Sequence, residues 1–113
     1  MSVFIYWKEI YDQQWYFQLK DNNNRIILTS TEGYKTEQEC FDGIASVQLI
    51  CANHLNYEKF MGADYKYYFK LRPDNSEPIA RSEGYNISQA RDTAIGNCSI
   101  EASNAVIRNL NTL

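Results

Sequence analysis

The chain has one histidine, three cysteines and no apolar run approaching the roughly 20 residues that a membrane-spanning helix needs. No block of like charge is present either: 11 basic and 14 acidic residues are spread along it, for a net charge of −3. Each shortage excludes something. His54 follows Cys51 by three residues with no cluster of further ligands beside it, which argues against a metal site. It is expected as an exposed residue just past a helix. A nucleophile–base pair built on histidine is excluded, because the second half of the chain lacks the residue. Cys40, Cys51 and Cys98 form an odd set without a C-x-x-C pair, against both a disulfide framework and a zinc site. Nothing in the sequence calls for a cofactor. The negative net charge makes nucleic acid the less favoured partner, since phosphate neutralisation supplies most of such affinity. The opening residues Val3 to Trp7 are strand-like, and Lys8 follows them, the reverse of a secretory leader. A cytoplasmic protein that does not engage membranes is expected.

What is present is apolar and aromatic. The apolar fraction is 44% and the charged fraction 22%, ordinary for a globular chain. Nine tyrosines, five phenylalanines and two tryptophans favour half-buried strands.

The chain also repeats itself, with a period of about 52 residues. Trp15-Tyr16-Phe17-Gln18-Leu19-Lys20 stands beside Tyr67-Tyr68-Phe69-Lys70-Leu71-Arg72. With one extra residue allowed near Thr31, matches continue at Asn23/Asn75, Ile27/Ile79, Ser30/Ser82, Gly33/Gly84, Tyr34/Tyr85, Gln38/Gln89 and Ile44/Ile95.

Each copy reads as three strands and a helix. Val3–Ile10, Trp15–Lys20 and Arg25–Ser30 are the first three strands, the second showing period-two alternation. Asp21 to Asn24 forms a turn from residues that tolerate left-handed angles. Asn56–Met61 and Tyr65–Arg72 repeat the pattern. Pro73 to Ser76 makes the turn, with Pro73 where a type I turn favours it, and Pro78 opens a third strand as a strand start or sheet edge. Thr36-Glu37-Gln38-Glu39 fits a capping box, whereas Ile87 replaces the threonine in the second copy, so Asn86 or Ser88 must cap there. Cys40, Ile44, Val47 and Cys51 lie at helical spacing, as do Ile95, Cys98, Ala102 and Ala105. Cys98 falls opposite Val47 and Cys51 opposite Ala102, so the thiols read as core. The tail from Asn109 should fray.

The expected fold is α+β: repeats over 1–55 and 56–113 form one domain about an approximate twofold axis. The sheet is mostly antiparallel with both helices on one face, since a lone unit of about 55 residues buries only ~60% of its surface. A monomer with internal symmetry follows.

Glu32-Gly33-Tyr34 and Glu83-Gly84-Tyr85 could place anion sites at helix starts. A structural role is favoured, with glycine at positive φ and tyrosine over the helix. Asn86-Ile87-Ser88 and Asn97-Cys98-Ser99 match the glycosylation pattern by chance. If Trp15, Phe17 and Leu19 point inward, then Tyr16, Gln18 and Lys20 point out, with Tyr68, Lys70 and Arg72 beside them. Such a face suits single-stranded nucleic acid or a nucleotide, and equally ordinary cross-strand pairing.

The segments Tyr16-Phe17-Gln18-Leu19-Lys20, Ile26-Ile27-Leu28-Thr29-Ser30, Glu32-Gly33-Tyr34 and Gly43-Ile44-Ala45-Ser46-Val47 closely resemble the YegP-like family of uncharacterised bacterial and archaeal proteins. Tyr68-Phe69-Lys70-Leu71, Ser82-Glu83-Gly84-Tyr85 and Ala94-Ile95 carry the resemblance through the second copy. It implies β-β-β-α units in tandem, or single units that dimerise, and no activity, substrate or cofactor. The expected function is a small non-catalytic binding or interaction module. Nucleic-acid binding is the alternative, and a pocket lined by charged residues from both repeats would instead favour an enzyme.

Overall fold

A computed structural model describes residues 2–74 and 76–112. Alternation sets its strands. In β1 (Val3–Lys8) Phe4 and Tyr6 are buried while Val3, Ile5 and Trp7 are only partly so. In β2 (Trp15–Lys20) Phe17 and Leu19 are buried between partly exposed neighbours. The same holds for Phe69 and Leu71 of β5 (Tyr67–Leu71). The remaining elements are β3 (Ile26–Ser30), α1 (Glu37–Ile50), β4 (Tyr57–Met61), β6 (Ala80–Arg81), α2 (Ser88–Glu101) and β7 (Val106–Asn109). Asn24 takes the left-handed conformation in the β2–β3 turn, at φ 62°.

The strands form one sheet in the order β4-β5-β6-β3-β2-β1-β7. Every pairing is antiparallel except β1 with β7. The two halves of the sheet meet at β3 and β6, where Thr29 pairs with Arg81 and Ser30 with Ala80. One core runs across that join. It gathers Phe4, Phe17, Leu19, Leu28, Phe69 and Leu71 from the sheet with Cys40, Ile44, Val47, Ile95 and Cys98 from the helices. Each large apolar side chain so buried contributes about 1.5–3 kcal/mol.

Serines complete the ladder at matching points. Ser30 Oγ accepts the buried Phe17 N–H at 3.2 Å, and Ser82 Oγ accepts that of Phe69 at 2.9 Å. Tyr34 exchanges backbone hydrogen bonds with Trp15, and Tyr85 does so with Tyr67.

Several expectations need correction. A seventh strand, β7, was not expected: it covers Val106–Asn109 and ends where the tail should begin to fray. Its Ile107 packs against the core, and it runs parallel to β1. Asn109 Nδ2 donates to Glu37 Oε2 at 3.1 Å, and the Lys8 N–H donates to Asn111 Oδ1 at 2.8 Å, which fastens the end down. The apolar spacing that extended the second helix to Ala105 misleads. α2 stops at Glu101, and Ala102 and Ala105 are buried in and after a 3-10 turn. Neither Asn86 nor Ser88 caps α2: Ile87 sits at the cap with no side-chain bond. In α1, by contrast, Thr36 Oγ1 accepts the Glu39 N–H and donates to its carboxylate, each at 3.1 Å. Pro78 precedes β6 rather than opening it, and β6 is central, flanked by β3 and β5. The Pro78 carbonyl accepts Thr31 Oγ1 at 2.8 Å across the join. The Pro73 carbonyl accepts the Ser76 N–H, so Pro73 begins its turn instead of holding the second position. Asn75 of that turn, and Leu113 of the tail, lie outside the described residues. No described helix is long and apolar enough to cross a membrane.

Replacing Ser30 or Ser82 with alanine orphans a buried backbone N–H. Each change should destabilise the protein by about 1–3 kcal/mol in urea unfolding, whereas an exposed serine such as Ser103 should give almost no change.

Candidate functional site

The register fixes which side chains share the sheet face turned from the core. Inward Phe4 pairs with Leu19, so Val3, Ile5 and Trp7 lie outward with Lys20, Gln18 and Tyr16. Gln18 pairs with Thr29, Thr29 with Arg81 and Arg81 with Lys70, which carries the same face across the join. Lys70 pairs with Glu58, and Tyr68 with Phe60. Arg72 follows β5 and forms an ion pair with Glu58. The six residues singled out from the sequence thus occupy one face, in two groups of three separated by β3 and β6.

Each group is built the same way. Trp7 stacks on Tyr16 with centroids 6.2 Å apart, and Phe60 on Tyr68 at 5.3 Å. The Tyr16 hydroxyl donates to Asp12 Oδ2 and the Tyr68 hydroxyl to Asp64 Oδ2, both at 2.5 Å. The Asp12 bond pushes the Tyr16 phenol up to about 12, and the Asp64 bond raises that of Tyr68. Asp64 is held below the usual carboxylate range by the same bond.

The two glycines answer to these tyrosines. Neither Gly33 nor Gly84 has positive φ, contrary to expectation. A Cβ at Gly33 would collide with Gln14 and come within 2.9 Å of Tyr16 Cζ, and one at Gly84 would lie 2.9 Å from the Tyr68 oxygen. Close approach, rather than backbone angle, requires glycine there. Tyr34 does lie over its helix, since a Cβ on Gly43 of α1 would collide with the Tyr34 ring.

Among strand residues on this face and Arg72 beside them, Lys20, Lys70, Arg72, Arg81 and Arg108 oppose a single acid, Glu58. Lys70 Nζ sits 4.8 Å from the Phe60 ring centre. Arg72 Nε is buried without a partner among the described residues. Sequence reasoning missed Trp7, Phe60, Arg81 and Arg108. The first two become visible only once hairpin register is known, and the last lay in a stretch, between Ala105 and the tail expected to fray from Asn109, for which no strand was expected.

A second feature is a groove of about 770 Å³ between the β2–β3 turn and α2. Ile26, Ile27, Tyr85 and Ala94 line it, with Asp21, Arg25 and Glu83 among its charged residues. Both repeats therefore contribute charge, the arrangement named above as favouring an enzyme. The carboxylate of Asp21 is nevertheless committed. It accepts the Asn23 and Arg25 N–H groups and the Arg25 Nε, and these bonds hold it below its usual range. Glu83 is exposed.

The other reactive groups are dispersed. Cys40, Cys51 and Cys98 are buried free thiols. Burial pushes Cys40 and Cys98 up to about 12 and raises Cys51, so little thiolate is available near neutrality. His54 is exposed just past α1, its Nε2 3.3 Å from Ser99 Oγ. No group of three or more His, Cys, Asp or Glu that could hold a metal occurs among the described residues.

A family model described as "Domain of unknown function (DUF1508)" matches the chain twice, over residues 11–58 and 63–108, which makes it a tandem repeat. A UPF0339 protein of Bordetella pertussis is 39% identical over 92 residues, 81% of this chain and 82% of that protein. UPF0339 protein YegP of Escherichia coli K12 is 33% identical over 97 residues, covering 86% and 87%. The solution NMR structure of the Escherichia coli protein of unknown function yegP superposes with a TM-score of 0.87 at 31% identity, over 96% of this chain and 92% of that one.

Replacing Asp64 with asparagine removes an anionic acceptor, so Tyr68 should ionise at lower pH than in the unaltered protein. Asp12→Asn should move Tyr16 from about 12 toward the ordinary tyrosine value of roughly 10. Phenolate absorbance during an alkaline titration reads both shifts.

Proposed function

We propose, for a chain that belongs to the DUF1508 family, a non-catalytic binding role exercised through the sheet face turned from the core. The two repeats, 1–55 and 56–113, are related by an approximate twofold axis at the β3–β6 join, with both helices on the core side. One observation carries the reading. The whole chain is acidic at −3, yet the strand residues of this face, with Arg72, set five basic residues against one acid, while Asp12 and Asp64 at its rim are held by the Tyr16 and Tyr68 hydroxyls. Net charge conceals that segregation, and net charge was the ground for disfavouring nucleic acid. Restored to the face, the charge supports an extended anionic ligand. The two stacked aromatic pairs narrow the class to single-stranded nucleic acid, which uses aromatic surface as well as charge.

The groove supports an enzyme less well. Asp21 already accepts three hydrogen bonds, Glu83 is open to solvent, and among the described residues no thiol or imidazole lines the cavity. The protein acts as a cytoplasmic monomer in this reading.

Fluorescence anisotropy with a labelled single-stranded oligonucleotide tests the proposal. Binding should weaken steeply as salt rises from 50 to about 200 mM, because each neutralised phosphate releases counterion. The double variant Tyr16→Ala/Tyr68→Ala should lose about tenfold or more in affinity. Affinity indifferent to salt, or no binding at low salt, would end the nucleic-acid assignment.

A further inference from the structure

The two outer strands of the meanders, β1 and β4, occupy corresponding places. Phe4 pairs with Leu19 as Tyr57 pairs with Leu71, and Trp7 with Tyr16 as Phe60 with Tyr68. Their surroundings differ. Outside β1 lies β7, parallel, with Ile107 opposite Phe4 and partly buried against the core. β4 ends the sheet.

The free edge is usable. The Asn56 carbonyl accepts from Arg72, and the Gly62 N–H donates to Lys66, so both point into the hairpin. Alternation then turns the backbone groups of Lys59 and Met61 and the Tyr57 carbonyl outward, while the Tyr57 N–H donates to the His54 carbonyl. Beneath this edge a groove of about 510 Å³ is lined by His54, Tyr57, Lys59, Asp92 and Ile95. The repeat sets Tyr57 against Phe4, Lys59 against Tyr6, Asp92 against Phe41 and Ile95 against Ile44. In the first half, Phe41 packs edge-on against Tyr6, centroids 6.4 Å apart, beside the strand that brings in Ile107. In the second half the corresponding pair is Lys59 and Asp92, bridged at 3.1 Å, and the space remains open.

We propose that the outer edge of β4 is a docking site for an extended segment of another polypeptide. The segment enters parallel to β4 as an eighth strand and places an apolar side chain in the groove between Tyr57 and Ile95. The seat of β7 beside β1 specifies the occupant. The residue opposite Tyr57 is apolar, as Ile107 is opposite Phe4. The next residue faces Glu58, as Arg108 faces Ile5, so a basic residue suits it. A second copy of this chain fits poorly: its β7 is held by its own β1, and two β4 edges meeting antiparallel about their centre set Lys59 against Lys59. This site meets the basic face only at Glu58, which also pairs with Arg72.

The probe is a blocked peptide of residues 104–111, Asn-Ala-Val-Ile-Arg-Asn-Leu-Asn, added to the full chain and followed by NMR. Tethering keeps the chain's own β7 in place, because its effective concentration exceeds that of the added peptide. Shifts should map to Tyr57–Met61, His54 and Ile95, with slowed exchange of the Lys59 amide. The Ile107→Asp peptide should bind about tenfold more weakly or worse. The Lys59→Pro protein, which lacks the central outward N–H but keeps the β5 ladder, should not bind. The proposal falls if millimolar peptide leaves β4 unchanged, if the aspartate peptide binds equally, or if the shifts map to β1 and β7. It falls too if β4 signals change with protein concentration alone, for then a second copy holds the edge.

Discussion

At the centre of the sheet its halves meet over two residue pairs, Thr29 with Arg81 and Ser30 with Ala80, with the Thr31 N–H donating to the Ile79 carbonyl beside them. Backbone bonds of that number, each worth about 1 kcal/mol net, cannot hold two meanders together. The join therefore depends on what lies beneath it. Leu28 and Leu71 are fully buried on either side, and the helices close over the same core with Val47 and Cys98. The Thr31 hydroxyl reaches the Pro78 carbonyl across the seam. A further tie runs at the far edge, where β7 from the second half pairs with β1 of the first. The chain is thus stitched twice, once in the middle and once at its ends, around a core that neither three-stranded unit completes.

That constraint sorts the surface. Residues facing the core are consumed by it, including all three thiols, whose burial raises their pKa so that little thiolate forms near neutrality. The opposite face carries what remains: stacked rings, bases and carboxylates that anchor tyrosine hydroxyls. Function, on this account, is a property of surfaces. The face collects cations that the acidic total hides, and the free edge of β4 lacks the strand that covers its counterpart.

How far the sequence could be read follows the same lines. Strands whose two faces differ were legible: Phe17 and Leu19 against Tyr16, Gln18 and Lys20, and the same in the second copy. So was the α1 cap, because Thr36 and Glu39 interact locally. Features set by distant contacts were not. β7 is four residues long and follows Ala102 and Ala105, whose spacing imitates helix. The conformation of Gly33 and Gly84 was misjudged because the reason for glycine lies in tyrosine rings on a neighbouring strand. The groove beside α2 and the gathering of Arg81 and Arg108 with Lys70 depend on strand order, which periodicity alone does not give. The family segments, 11–58 and 63–108, each begin after a first strand and run through the helix toward the strand beyond it. In the second segment that following strand is β7.

The dependence of each half on the other is open to direct measurement. The fragments 1–55 and 56–113 can be made separately and followed by circular dichroism and sedimentation, alone and mixed. The account predicts that each alone is unfolded or self-associated, and that mixing restores the native spectrum in a one-to-one complex. Either fragment found folded and monomeric on its own would contradict it.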